Sequence, residues 1–337
     1  MVGKRVGMIV GSAVAGVVLL TACNGEDGAA AVGSAAQPST GAAKAVGEAA
    51  ETIGKYGADK PGAQFFASVL TGDNEVQVEG KPPVGDKDGR AVALMRVQGD
   101  EVSFAFAWTG IGAPTMAHIH QGVRGVNGDV KIPFFMKKLD DGRSFVYGTV
   151  KVTDAALLAD IKAHPEKFYF NLHTGEFPGG AVRGQVFTLP TRVSLPDTVR
   201  DSTLRSVVKG AQVYACTQQT DGTYKFTQDN VDATLQGDIA HSFAKPGPAG
   251  PPQWIAPDGS SVSGTVLNKL DNGKGNIPEL ILRAQQTGKP EGLLAKTQLV
   301  LRLDTVGGVA PAGTCNPSSQ PSTRVDYKAD YLFLATK

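Results

Sequence analysis

Residues 101–108 read Glu-Val-Ser-Phe-Ala-Phe-Ala-Trp, a pattern that few kinds of fold can accommodate. Val102, Phe104, Phe106 and Trp108 fall at every second position, with Ser103, Ala105 and Ala107 between them. A period of two places the large apolar side chains on one face of a strand and the small ones on the other. The same logic predicts strands at residues 64–70, 90–97, 129–135, 144–152 and 181–188. Gln98-Gly99-Asp100 and Asp140-Asp141-Gly142-Arg143 read as turns between neighbouring strands. Thr153-Asp154 caps one short helix, Ala155 to Ala163, which ends before Pro165. Many short strands and a single helix predict an antiparallel, Greek-key-like β-sandwich for this half.

Two further strands carry histidines. In Ala117-His118-Ile119-His120-Gln121-Gly122, strand alternation turns both imidazoles to one side and Ile119 to the core. In Phe168-Tyr169-Phe170-Asn171-Leu172-His173-Thr174, the residues Tyr169, Asn171 and His173 share a face, and the apolar residues share the other. The chain has five histidines, so three of them in two such runs form a candidate cluster.

The chain has 337 residues, enough for two cores. With 33 basic against 32 acidic side chains, nothing points to nucleic acid. The 42 glycines and 20 prolines suit a loop-rich β protein better than a helical bundle. The amino terminus reads as a secretory signal over residues 1–22: Lys4 and Arg5, an apolar run, then Leu20-Thr21-Ala22-Cys23. Those last four residues resemble a bacterial lipobox, which implies lipidation of Cys23 and anchoring to the outer face of the cytoplasmic membrane. Residues 23–61 are rich in alanine and glycine and bury too little apolar surface to order, so a flexible tether is expected. With Cys23 assigned to lipid, Cys216 and Cys315 remain, and in an oxidising compartment two cysteines most simply pair. Two buried free thiols are the alternative.

Past a short linker at residues 190–203, the chain resumes with strand-like segments and a second β-rich domain is expected over residues 204–337. Its turns include Thr220-Asp221-Gly222 and Asp258-Gly259-Ser260.

Specific motifs add a resemblance. Phe66 and Leu70, Glu75, Pro82-Pro83-Val84, Ala117-His118-Ile119-His120-x-Gly122, Gly125-x-Asn127-Gly128 and Phe168-Tyr169-x-Asn171-Leu172-His173-Thr174 resemble the CHRD domain. So does Phe177-Pro178-Gly179-Gly180-Ala181-x-Arg183-Gly184-Gln185. The resemblance covers about residues 62–189. It implies an extracellular setting, since the domain is named after chordin, an extracellular protein that binds signalling ligands. The second half resembles a family of unknown function, number 3455. The residues that carry this are Gln212-Val213-Tyr214-x-Cys216, His241, Gly247-Pro248, Trp254, Asp258-Gly259-Ser260, Gly307-Gly308-x-Ala310-Pro311, Cys315 and Tyr327-x-Ala329-Asp330-Tyr331. That resemblance implies a fold without an activity.

Two readings of the histidines stand side by side. Three imidazoles with an open fourth position are suited to copper or zinc. Fold-level analogy adds superoxide dismutase, although no bridging histidine or zinc loop is present. Alternatively His118, His120, Asn171, His173, Arg183 and Gln185 form a hydrogen-bonded polar network that holds the loops together. His241 with Asp258 and Ser260 would make a hydrolytic triad, but no nucleophile elbow accompanies them. The expected role is therefore a membrane-anchored, non-enzymatic binding or structural one, with an envelope protein or glycan as partner. A copper or zinc metalloprotein using His118, His120 and His173 is the alternative.

Overall fold

A computed structural model of the chain describes residues 53–247 and 250–335. The expected signal peptide, Cys23 and residues 23–52 of the expected tether lie outside the described residues, whereas 53–61 pack on the first sheet, where Asp59 pairs with Arg96 at 2.6 Å.

The first sheet begins with three antiparallel strands, β1 (Gln64–Thr71), β2 (Arg90–Gln98) and β3 (Glu101–Thr109). Then come β4 (Met116–Gln121), β5 (Val130–Phe135) and β6 (Phe145–Lys151), the helix α1 (Ala155–Ala163), and β7 (Phe168–His173), β8 (Val182–Gln185) and β9 (Phe187–Leu189). The spatial order is β5-β4-β7-β8-β1-β2-β3-β6, with β9 also on β1. The antiparallel, mostly β character follows the alternation in the sequence. The layering differs from two stacked sheets: this is one continuous sheet curled around its own core.

The reason lies in β1. β1 is eight residues long, and β2 takes one edge while β8 and β9 share the other, at Thr71↔Arg183 and Phe65↔Leu189. The two would-be layers are thus hydrogen-bonded into one. Curling brings Phe134 of β5 within 4.8 Å, centroid to centroid, of Phe104 on β3 and 5.6 Å of Phe106. Helix α1 starts where Asp154 accepts a 2.9 Å hydrogen bond from the Leu157 amide, and it buries Leu158 and Ile161 in that core.

The second sheet is a closed eight-stranded barrel. Its strands are β10 (Thr203–Gln218), β11 (Tyr224–Leu235), β12 (Ile239–Phe243), β13 (Pro252–Ile255), β14 (Ser261–Leu270), β15 (Glu279–Gln286), β16 (Thr297–Gly307) and β17 (Ser322–Ala335). β10 pairs with β17, so the first and last strands form the closing seam. Cys216 on β10 is bonded to Cys315 in the loop between β16 and β17.

The stretch read as a linker carries structure: Leu195–Asp201 is a helix, α2. Val193, Leu195 and Val199 sit in a core shared by both sheets, together with Phe65, Leu94 and Ala105 on one side and Leu299, Leu301 and Leu332 on the other. This explains why β1 and β2 are buried on both faces and do not alternate. Alternation shows which residues face a domain's own core; it does not show that the other face meets a second domain.

Candidate metal centre

The site lies on the outer face of the first sheet, because Ile119, Phe170 and Leu172 use the inner face for the core. β4 pairs with β7 in the register His118↔Asn171 and His120↔Tyr169, with His173 opposite Met116. A period of two therefore sets five polar or aromatic side chains on one patch: His118, His120, Tyr169, Asn171 and His173.

The three histidines come together as a compact group, with one ligand nitrogen from each within 4.8 Å of the others. Nδ1 of His118 is 3.2 Å from Nε2 of His173. Two nitrogens bound to one ion at about 2.0–2.1 Å with a tetrahedral angle stand about 3.3 Å apart, so this spacing suits a shared ion.

The opposite nitrogens fix the tautomers. Nδ1 of His120 lies 2.9 Å from the Gly128 carbonyl, and Nδ1 of His173 lies 3.0 Å from that of Pro178. A carbonyl only accepts, so each Nδ1 carries the proton and each Nε2 keeps its lone pair. Carbonyl contacts of this kind are the usual means of orienting a ligating imidazole. The backbone bonds thus occupy the two Nδ1 atoms, while Nε2 of His173 accepts from Nδ1 of His118 and Nε2 of His120 is left unused. In particular, Nε2 of His120 is buried and has no hydrogen-bond partner.

Electrostatics keeps the group neutral. Burial is the main cause of a lowered pKa at all three residues, and it brings His120 down to about 4 although the Gly128 carbonyl opposes the shift. Neutral imidazole is the ligating form. Nε2 of His118, the ring nitrogen turned away from His173, is 2.9 Å from Sδ of Met136, so the thioether supports the far side of that ring.

Arg183 and Gln185 hydrogen-bond to the loop beside the histidines. The Arg183 guanidinium donates to the Asn127 side chain at 3.0 Å and to the carbonyls of Val123 and Val126 at 3.1 and 2.8 Å. Its Cζ sits 3.5 Å from the Tyr169 ring centroid, and His120 stacks on that ring at 4.8 Å. Because β7 runs between β4 and β8, Tyr169 is held between the two. Gln185 donates from Nε2 to the carbonyls of Gly122 and Glu166 at 2.7 and 2.8 Å. Arg183 and Gln185 together hold the 122–128 loop closed, and that loop supplies the carbonyl which orients His120. Gly128 is needed there, because a Cβ would collide with the Gln121 carbonyl.

Glu75 and Met136 also border the histidines. Asn171 donates to Glu75 at 3.2 Å, and burial pushes the Glu75 carboxyl up to about 8 against the pull of Arg183. The available signal was Glu75's place among the motif residues. Met136 left none, since it lies beyond the end of β5.

The hydrolytic triad does not assemble. The Ser260 hydroxyl donates to Asp258 at 2.6 Å within a turn, whereas Nδ1 of His241 faces the Gln253 carbonyl at 2.8 Å. His241 instead stacks on Trp254 at 4.5 Å inside the barrel, where burial lowers its pKa to about 3. Its folded pKa is below the unfolded one, near 6.5, so unfolding takes up a proton at acidic pH. Stability is lost as pH falls from about 6.5 towards 3. This amounts to about 1.6 kcal/mol between pH 6.5 and 5. Burial raises Glu75, Glu279 and Asp330, which work in the opposite direction, so the comparison must be with a variant. Urea unfolding of His241→Asn and the parent at pH 5 and 6.5 should show this difference in slope; parallel curves would refute it.

Fold and site together define a curled antiparallel domain with a histidine-bearing outer face, joined to a closed barrel. Residues 66–186 match the CHRD domain, and residues 236–335 match the family described as Protein of unknown function (DUF3455). The chain carries a CHRD domain followed by a DUF3455 domain. Comparison with curated proteins and with solved structures gives no match. The pair of domains points to an extracellular binding or structural role.

Proposed function

We propose that this protein is a lipid-anchored, extracytoplasmic binding protein whose CHRD domain holds one metal ion of the copper class through His118, His120 and His173. The observation that carries the reading is the buried, partnerless Nε2 of His120, aimed at two other neutral imidazoles. A buried nitrogen without a partner costs about 1–3 kcal/mol, and a metal would offset that cost. Three neutral imidazoles favour copper over zinc, because copper stands above zinc in the affinity order for nitrogen ligands. In the metal-free state, the 3.2 Å contact between His118 and His173 carries a proton that the ion would displace. The polar network is then the frame of the site. The role is non-enzymatic capture or structural stabilisation at the envelope, with Cys23 as the anchor.

Metal analysis and copper(I) and zinc titration of the purified mature protein test this reading. One equivalent of copper, bound more tightly than zinc, is expected, with affinity reduced at least about 100-fold in His120→Ala. Sub-stoichiometric metal with no dependence on these histidines would remove the metal reading and leave the network alone. For the anchor, labelling of cells with palmitate should mark the parent and spare Cys23→Ser.

A further inference from the structure

The barrel of the second domain encloses a cavity of about 510 Å³, within the range of small-molecule sites. Aromatic and aliphatic side chains, among them Tyr214, Phe243, Trp254 and Leu282, form much of its wall. Three buried donors on that wall have no acceptor: Nε1 of Trp254, Nε2 of Gln212 and Nε of Arg302. Trp254 and Gln212 are 1% and 3% exposed, so bulk water does not satisfy them. An indole N–H and a guanidinium N–H can only donate. The Gln212 amide is oriented by Gln228, which donates to its Oε1 at 2.9 Å and leaves the NH2 free. Among the described residues lining the cavity, the charged ones are Arg302 and Lys269, both cationic, and no Asp or Glu is present.

Orphaned donors, positive charge and apolar walls define the complement. We propose that the DUF3455 barrel binds a small organic anion with an apolar body, its carboxylate received by Arg302, Trp254 and Gln212. A buried N–H without an acceptor is costly, and a carboxylate is the group that a guanidinium edge is built to bind. Arg302 is held in place by its Nη2, which donates to the Pro278 carbonyl at 2.7 Å, while its Nε has no partner. Val266 and Val309 line the cavity and are 40% and 42% exposed, which places its mouth beside them. Gly264 shapes the floor: a Cβ there would press on the Trp254 ring at 3.0 Å and on Leu282 at 2.9 Å. The inference is independent of the metal reading, since it rests on the other domain.

The test uses the full mature chain with octanoate, 1-octanol and the aromatic anion 1-anilinonaphthalene-8-sulfonate as probes. Expected are saturable binding of the fluorescent anion, its displacement by octanoate, and octanol affinity at least about tenfold weaker than that of octanoate. Arg302→Met should lower octanoate affinity at least about tenfold and leave octanol nearly unchanged. If circular dichroism shows Arg302→Met to be unfolded, Gln212→Leu supplies the same comparison. No saturable binding, equal affinity for octanoate and octanol, or octanoate binding unaffected in the folded variant would each overturn the proposal.

Discussion

Arg183→Met is expected to destabilise the CHRD domain by about 3–5 kcal/mol and, in the molecules that remain folded, to weaken copper binding about 10–100-fold. Arg183 is 1% exposed and donates to Asn127, Val123 and Val126. Methionine matches much of its volume but leaves those three acceptors unpaired, at about 1–3 kcal/mol each, partly offset by a better-matched apolar stem. Glu75 is not left as a bare charge, because burial already pushes its carboxyl up to about 8. The second effect runs through the backbone. The acceptors belong to the loop that presents the Gly128 carbonyl to Nδ1 of His120, so a loosened loop frees that imidazole to rotate. Arg183→Lys should not rescue, because one ammonium cannot reproduce the planar fork over Tyr169. Urea unfolding and copper titration of parent and variant read the two effects separately. An unchanged unfolding midpoint would contradict the first, and unchanged affinity in a destabilised variant would show that the loop does not position His120.

Reduction of the Cys216–Cys315 bond, or the pair Cys216→Ala and Cys315→Ala, should cost the second domain about 4–5 kcal/mol. The bond joins residues 99 apart in sequence, and a loop of that length has much entropy to lose in the unfolded chain. Its position adds to the effect. Cys216 lies on β10, next to the seam with β17, and the Cys315 amide donates to the Tyr224 carbonyl at 2.9 Å. The long connection that holds Val309 and Ala310, both lining the cavity, is therefore tied down at Cys315. Unfolding midpoints with and without reductant, followed by far-ultraviolet circular dichroism, check the stability change. A midpoint that does not move would show that the barrel closes without the bond. Octanoate affinity should also fall on reduction, because the loop at the mouth loses its tether.

The 122–128 loop links the two domains. Arg124, in the loop held by Arg183, reaches Glu279 at 2.8 Å and Asp304 at 2.7 Å on the barrel. The histidine site and the barrel therefore share a support that neither half of the sequence reveals alone.

Some of this was legible in the chain because it is local. Alternation at Val102, Phe104, Phe106 and Trp108 determined an antiparallel, mostly β domain, since strand geometry sends every second side chain to the same face. Two such runs also determined that His118 and His120 share a face, and that Asn171 and His173 share another. Whether those two faces were one face depended on register, and the pairing of β4 with β7 decided it. Tertiary structure alone decided the rest. One β1 strand with partners along both edges made a curled sheet in place of a sandwich. Val193, Leu195 and Val199, too few to mark a core in sequence, became one when the barrel covered them. Trp254, Gln212 and Arg302 lie far apart along the chain, and nothing local relates them. Only closure of the barrel brings these three residues to the wall of one cavity, because burial is a property of the assembled sheet and not of any segment in it.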